Sequence, residues 1–352
     1  MRIIIASGGT GGHIYPAITL AQALQKAGHK ITFVGSTGRM EKDVIPAAGF
    51  DYIGLDMKIP GGSLINKANS FVSIVKAYYK CREIVKDYDL AIGFGNYISV
   101  PLVMAARNRG LKTVIHEQNS FAGKANKYLD QKVDLVIGSY EENKKTFKNP
   151  HTLILGNPQS SKAFNIKKDP EVLLNLGLDP DKKTVVIFMG SLGSQTVNKV
   201  VIEYLNSLKG DYQVIYASGK QNYAKARAAV KKKDYICVKE AVDGVKVMAN
   251  SSLLVSRAGA TTLSEICAMG MPSILIPSPY VPNNHQFYNA MALIDKNAAL
   301  LLEEKDLSPA SLKAIIEKSI NDEELLKSLH ENAIKLSNPK VLDEIVKEIE
   351  KL

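Results

Sequence analysis

Over roughly the first 155 residues, short uncharged runs alternate with stretches whose apolar positions recur every three or four residues. The runs RIIIA, KITFVG, DLAIGF, KTVIHE, DLVIGS and TLILG are of strand length and rich in β-branched residues, the signature of strands buried on both faces. Helical periodicity begins near Ile14, Arg39, Asn66, Val100 and Glu141. The first case is the clearest: Ala17, Leu20, Ala21, Leu24 and Ala27 follow Pro16 and stop at Gly28, with proline suited to a first turn and glycine to a helix end. Strands alternating with helices predict βαβ units and a parallel sheet covered by helices.

Residues 156–170, GNPQSSKAFNIKKDP, break this rhythm and read as a linker. The rhythm then restarts with KTVVIFMGSLGSQTVNKVVIEYL, a strand, a glycine turn and a helix, followed by the strand candidates YQVIYASG, YICVKE, SLLVSR and SILIPS. The amphipathic tail PKVLDEIVKEIEKL is expected to return to the first half. The expected class is therefore α/β, with two Rossmann-like, doubly wound domains: residues 1–158 plus 338–352, and 159–337. Ligands of such folds bind at strand carboxyl ends, which places the expected site in a cleft between the domains.

Composition narrows the class. A chain of 352 residues exceeds what one core usually serves. Its longest apolar stretches, such as SILIPSPYV, are strand-length and interrupted by proline, so neither a transmembrane helix nor a secretory segment is expected and a cytoplasmic location follows. Cys81, Cys237 and Cys267 are odd in number and widely spaced, against a disulfide framework or zinc knuckle. A formal charge of +10 favours acidic partners, namely nucleic acid, anionic lipid or phosphorylated substrates. No nucleic-acid module and no basic stripe interleaved with aromatics accompanies it, so nucleic acid is set aside.

The candidate chemistry falls just after strands. Gly8, Gly9, Gly11 and Gly12 lie between RIIIA and the first helix, where missing Cβ atoms admit a ligand and free helix amides favour an anion. The dinucleotide fingerprint fails there, since Ile14 stands at its third glycine, and the Walker pattern finds no lysine. What remains is a turn delivering His13 to the helix start, as a base or as an ordinary cap. HEQNS, residues 116–120, reads as a polar site loop or as an asparagine cap. MGSLGSQ reads as a pyrophosphate nest of backbone amides around Ser191, Gly193 and Ser194, or as a plain βα turn. In SRAGATTLSEI, residues 256–266, Thr262 and Glu265 fit a capping box as well as a ribose site. NNHQFYNA adds His285, Gln286 and Asn289.

In order and spacing, GGTGGH (8–13), GFGNYISVP (93–101), HEQN (116–119), GNP (156–158), GSLGSQ (190–195), SRAGATTLSE (256–265) and HQFYNA (285–290) resemble the peptidoglycan N-acetylglucosaminyltransferase family called MurG, of GT-B fold. The resemblance implies inverting transfer of N-acetylglucosamine (GlcNAc) from UDP-GlcNAc to the 4-hydroxyl of the muramoyl sugar of lipid I, giving lipid II for the cell wall. It implies His13 as base. It implies donor contacts from Thr10, Gly11, Gly12, Asn119, Ser191, Gly193, Ser194, Ala260, Thr261, Thr262 and Gln286, with Glu265 on the ribose. Tyr97 and Glu117 fall on the acceptor side. An imidazole with an ordinary pKa near 6.5 suits proton removal at neutral pH, and preorganised amides can stabilise a departing diphosphate. None of these motifs contains an Asp-x-Asp metal pair, so no cofactor is required, although a divalent ion is compatible.

The sequence departs from the family pattern in places. Gln159 and Ser160 stand where Val-Arg is usual, leaving Lys162 as the nearest substitute cation; Asn96 and Val100 replace glycines; and Ala241 and Val242 are the only stand-ins for a uracil contact. Lipid I implies an anionic inner membrane surface as partner and a peripheral location on its cytoplasmic face. Leu64, Ile65, Lys67, Phe71 and Val72 are the candidate docking residues, while much of the apolar set of residues 58–82, notably Ile74, Val75 and Tyr78, is alternatively one helix's core face. A UDP-GlcNAc 2-epimerase and a non-catalytic UDP-sugar-binding protein at the membrane are the rival readings.

Overall fold

The computed structural model describes residues 1–58, 64–190 and 194–352, and no side chains at positions 64, 65, 67 and 68. The chain divides into two compact units, Met1–Ser161 with Lys340–Leu352, and Lys162–Pro339.

The first unit is built on a parallel seven-stranded sheet. Its strands are β1 (Arg2–Ala6), β2 (Lys30–Ser36), β3 (Asp51–Leu55), β4 (Leu90–Gly93), β5 (Lys112–Glu117), β6 (Leu135–Gly138) and β7 (Thr152–Ile154), in the order β3-β2-β1-β4-β5-β6-β7. Central β1 explains the unbroken apolar run RIIIA, because both of its faces are covered. Ile3 and Ile5 pack with Ile14, Leu20 and Leu24 of helix α1 (Gly11–Lys26) and with Val341, Ile345 and Ile349 of the last helix, Val341–Glu350. On the other face, Ile4 and Ala6 pack with Ile98 and Leu102, which belong to the helix Asn96–Asn108, and with Cys81. Each of the three fully buried aliphatics of the last helix contributes about 1.5–3 kcal/mol by leaving water.

Chain order reverses between β1 and β4, so their carboxyl-end loops open a crevice, the usual ligand position in such sheets. Three further helices frame that end: α2 (Glu41–Ala47), α3 (Leu64–Ile84) and α4 (Asn96–Asn108). Two features differ from the sequence reading. Strand β3 has no counterpart in it, since DYIGL is short, mostly half-buried and carries Gly54. Helix α4 starts at Asn96 rather than near Val100 and contains Pro101.

The second unit repeats the plan with six parallel strands: β8 (Thr184–Phe188), β9 (Gln213–Ala217), β10 (Ile236–Lys239), β11 (Leu253–Ser256), β12 (Ser273–Leu275) and β13 (Leu300–Leu301), in the order β10-β9-β8-β11-β12-β13. Its reversal lies between β8 and β11. The three cysteines are buried and unpaired, and burial pushes the Cys81 and Cys267 thiols up to about 12. Among the described residues no helix is long and apolar enough to cross a membrane.

Candidate active site

In the first unit the glycine turn runs from β1 into α1 and ends at Thr10, the N-cap of that helix. A threonine there normally caps a first-turn amide with its hydroxyl. Here the backbone carbonyl of Thr10 takes the His13 amide at 3.0 Å, and the hydroxyl instead meets His13 Nδ1 at 3.0 Å. Ser7 Oγ donates to the His13 carbonyl at 2.9 Å. The opposite ring edge lies against the start of α4: a Cβ on Gly95 would sit 3.4 Å from His13 Cδ2 and 3.5 Å from Nε2. The first-turn amides of Gly11 and Gly12 have no intrahelical acceptor, as at any helix start.

The glycines of this turn serve two different purposes. A Cβ on Gly8 would fall 2.5 Å from Glu41 Oε1, and one on Gly9 would fall 2.0 Å from Asn96 Nδ2, so both admit the protein's own side chains. A Cβ on Gly12 would meet only Thr10 Oγ1, at 3.8 Å, which leaves its surface open to a ligand.

The segment after β5 meets the same place through Asn126 of the helix Lys124–Leu129, whose Nδ2 lies 3.4 Å from that Gly95 Cβ position. Glu117 is buried with both oxygens occupied: Oε1 accepts from the Asn119 backbone and side chain at 3.0 and 3.1 Å, and Oε2 from Gly123 N and Asn126 Nδ2 at 3.0 and 2.9 Å. It therefore acts as a brace for Asn119. The capping alternative for HEQNS does not occur, since the next helix, Lys124–Leu129, is capped at Gly123 without a side-chain bond. His116 Nε2 donates to the Gly156 carbonyl at 3.0 Å and Nδ1 accepts from Gln118 Nε2 at 3.1 Å; burial pulls the imidazole down to about 4, so it is neutral. Tyr97 packs against the apolar cluster beneath α4. Its hydroxyl is enclosed without a hydrogen-bond partner among the described residues, and burial raises its pKa while Arg39 opposes the rise.

Where the sequence pattern lacks an arginine, Gln159 and Ser160 are buried in the first unit. Gln159 Oε1 accepts from Thr19 Oγ1 at 2.8 Å and Ser160 Oγ donates to the Asn157 carbonyl at 2.8 Å, while Lys162 is exposed.

In the second unit, Ser191 and Gly193 lie outside the described residues. Ser194 is the N-cap of the helix Gln195–Ser207, and its hydroxyl accepts from Arg257 Nη2 at 2.8 Å. Arg257, just past β11, also donates Nη1 to the Ile276 carbonyl at 3.0 Å and pairs with Glu304 at 2.6 Å. Thr196 donates to the same carboxylate. This buried cation, bonded to the N-cap of the helix Gln195–Ser207, lies in the SRAGA motif, but the sequence does not single it out.

Helix Ala260–Met269 begins at Gly259, which makes no side-chain cap, so Thr262 and Glu265 form no capping box. Its first amides belong to Ala260, Thr261 and Thr262. No atom lies within 4 Å of where a Gly259 Cβ would be, so the approach is open. Thr261 Oγ1 is enclosed without a hydrogen-bond partner among the described residues. Gln286 Oε1 accepts from Ser278 N at 2.8 Å, which orients its amide, whereas Asn289 is buried and donates to the Ala258 carbonyl at 3.2 Å. Among the described residues no three His, Cys, Asp or Glu side chains converge as a metal site would require.

On the first unit, Phe71 and Val72 are exposed on α3; Leu64, Ile65 and Lys67 have no described side chains. Val75, expected on the core face, is instead exposed and with Tyr79 continues the stripe at four-residue spacing, with exposed Lys76 and Lys80 beside it. Ile74, Ala77 and Tyr78 instead face the core.

The profile of the glycosyltransferase family 28 N-terminal domain matches residues 3–137, and that of its C-terminal domain matches residues 184–345. A protein of Phocaeicola vulgatus named UDP-N-acetylglucosamine--N-acetylmuramyl-(pentapeptide) pyrophosphoryl-undecaprenol N-acetylglucosamine transferase is 38% identical, over 100% of this chain and 96% of its own length. One of the same name from Bacillus licheniformis is 35% identical, over 100% and 99%. The crystal structure of Acinetobacter baumannii MurG superposes with a TM-score of 0.79 at 24% identity, covering 100% of this chain and 99% of that one, a likeness of fold. With two doubly wound units, both domain matches and full-length relatives above 30% identity, the chain belongs to the family of these N-acetylglucosamine transferases, within glycosyltransferase family 28.

Proposed function

We propose that this enzyme transfers GlcNAc from UDP-GlcNAc to the 4-hydroxyl of the muramoyl sugar of lipid I, with inversion. The observation that carries the mechanism is the Thr10–His13 pair. In the tautomer in which Nδ1–H donates to Thr10 Oγ1, the basic lone pair is on Nε2, and the hydroxyl that accepts the bond comes from the turn itself. His13 then removes the acceptor proton as the new glycosidic bond forms. The helix start at Ala260–Thr262 and the turn ending at Ser194 receive the departing diphosphate, preorganised by Arg257. The family resemblance makes Gln286 in the second unit and Asn119, Gly11 and Gly12 in the first donor-contact residues, with Glu265 accepting from the ribose hydroxyls.

The acceptor is a lipid, and we place the enzyme at the cytoplasmic face of the membrane as a peripheral protein. The α3 stripe supports this: Phe71 is 68% and Tyr79 61% exposed, beside two lysines suited to anionic headgroups.

A radiolabelled UDP-GlcNAc assay with a short-chain lipid I analogue tests the reaction. The parent should release UDP and label the acceptor. His13→Ala should lower kcat by roughly a hundredfold or more while leaving donor affinity near its parent value. Glu265→Ala should raise the donor KM by about tenfold, the loss of one charge-assisted hydrogen-bonding group. UDP release with N-acetylmannosamine as product and no labelled acceptor would overturn the reading, and an unchanged kcat in His13→Ala would remove the base.

A further inference from the structure

Glu41 takes no part in that chemistry, yet it is fully buried at the start of α2 with both oxygens engaged. Oε2 accepts from Gly9 N at 3.1 Å, and Oε1 accepts from Ser36 N at 3.2 Å and Ser36 Oγ at 2.6 Å. Asn96 reaches the same turn from the start of α4. Its backbone is in the left-handed region, φ 64°, which asparagine tolerates better than most residues. There its Nδ2 donates to the Gly8 carbonyl at 3.0 Å and its Oδ1 accepts from Tyr97 N at 2.6 Å. Arg39 Nη1 completes the set by donating to the Gly9 carbonyl at 2.9 Å. The turn is thus gripped at one amide and two carbonyls by side chains from two other segments, immediately before Thr10 and His13.

A buried carboxylate is an expensive way to fill space, since its desolvation is offset only by well-placed donors. Three donors converge on this one, and one of them is the turn that carries the base. We propose that Glu41 and Asn96 are positioning residues for the glycosyl transfer: they touch no substrate and hold the Gly8–Gly9 segment so that the Thr10–His13 pair meets the acceptor hydroxyl. Asn96, where the family pattern has glycine, replaces backbone freedom with a side-chain bridge between the β1 and β4 loops. This rests on the transfer reaction proposed above.

The test uses the full-length chain carrying Glu41→Gln, Glu41→Ala or Asn96→Gly. It measures kcat at saturating substrates, the donor KM, and hydrogen exchange of the backbone amides in residues 7–14. Misplacing a catalytic group by about 1 Å can cost a hundredfold in rate. Glu41→Ala should therefore lose on the order of tenfold to a hundredfold in kcat. Glu41→Gln, which keeps the shape and one acceptor, should recover part of it, and the donor KM should stay within about twofold in both. Exchange in 7–14 should quicken in the same order. Asn96→Gly relieves the left-handed backbone and should fold even if Glu41 variants do not; it should also lower kcat and speed exchange. Unchanged exchange would show that no such grip exists, and faster exchange with parental kcat would show that it does not position the base. A parent that transfers no sugar would overturn the reaction itself, while the exchange readout would still judge the grip.

Discussion

His116 stacks on Phe94 at 5.1 Å between ring centroids and is wholly enclosed, so protonating it would strand a charge. Its folded pKa, about 4, lies below the ordinary value near 6.5, so the unfolded chain binds the proton more readily in between. Its contribution to stability is complete above about pH 6.5 and is lost as the pH falls toward 4, amounting to roughly 3 kcal/mol. Denaturant unfolding at pH 7 and 4.5 should show this slope in the parent and a shallower one in His116→Gln; equal slopes would refute it. At this scale the sequence exposed what is local. The glycine turn, His13 and the loop HEQN all follow strands directly and could be found by position. The roles of Glu41, Asn96 and Arg257 could not, because each acts on a turn 32, 88 or 63 residues away. Nothing in the GGTGGH motif distinguishes Gly8 and Gly9, which make room for partners, from Gly12, which faces open space.

Helix α3 shows what an element adds to its residues. Its sequence mixes apolar and basic positions over six turns without a dominant period, so the faces separate only in part: Ile74 and Tyr78 lie on the core as expected, and Val75 does not. Packing separates them: Ile74, Ala77, Tyr78 and Cys81 meet the core, while Phe71, Val75 and Tyr79 run along the outside. If this stripe docks on lipid, Phe71→Ser with Tyr79→Ser should weaken sedimentation with anionic vesicles by about tenfold or more, from the buried area lost. Turnover of a soluble acceptor analogue should not change. Undiminished vesicle binding would assign the docking elsewhere. Elements with strong periodicity, such as α1 and the central strands, were legible throughout. Two short strands were not: β3 lies at the sheet edge with half-buried residues, and β13 has only two, too few for any pattern.

At the scale of the molecule, the second unit is one continuous segment with its own core, whereas the first is made of two pieces. Residues 162–339 alone should therefore unfold cooperatively and bind UDP-GlcNAc, because Arg257, Ser194, Glu265 and Gln286 all lie within them. Calorimetry on that fragment checks both claims; a folded fragment without affinity for the nucleotide would displace the donor site. Residues 1–161 alone lack Val341, Ile345 and Ile349, each fully buried in the complete chain. The divided core has a consequence for biosynthesis. Domains usually mature in the order in which the ribosome delivers them, but here the half that is begun first must wait, partly assembled, until the other has been made and residues 340–352 have emerged. The lobe bearing the imidazole is thus the later of the two to finish, and the side of its core that Val341, Ile345 and Ile349 cover stays open until they arrive.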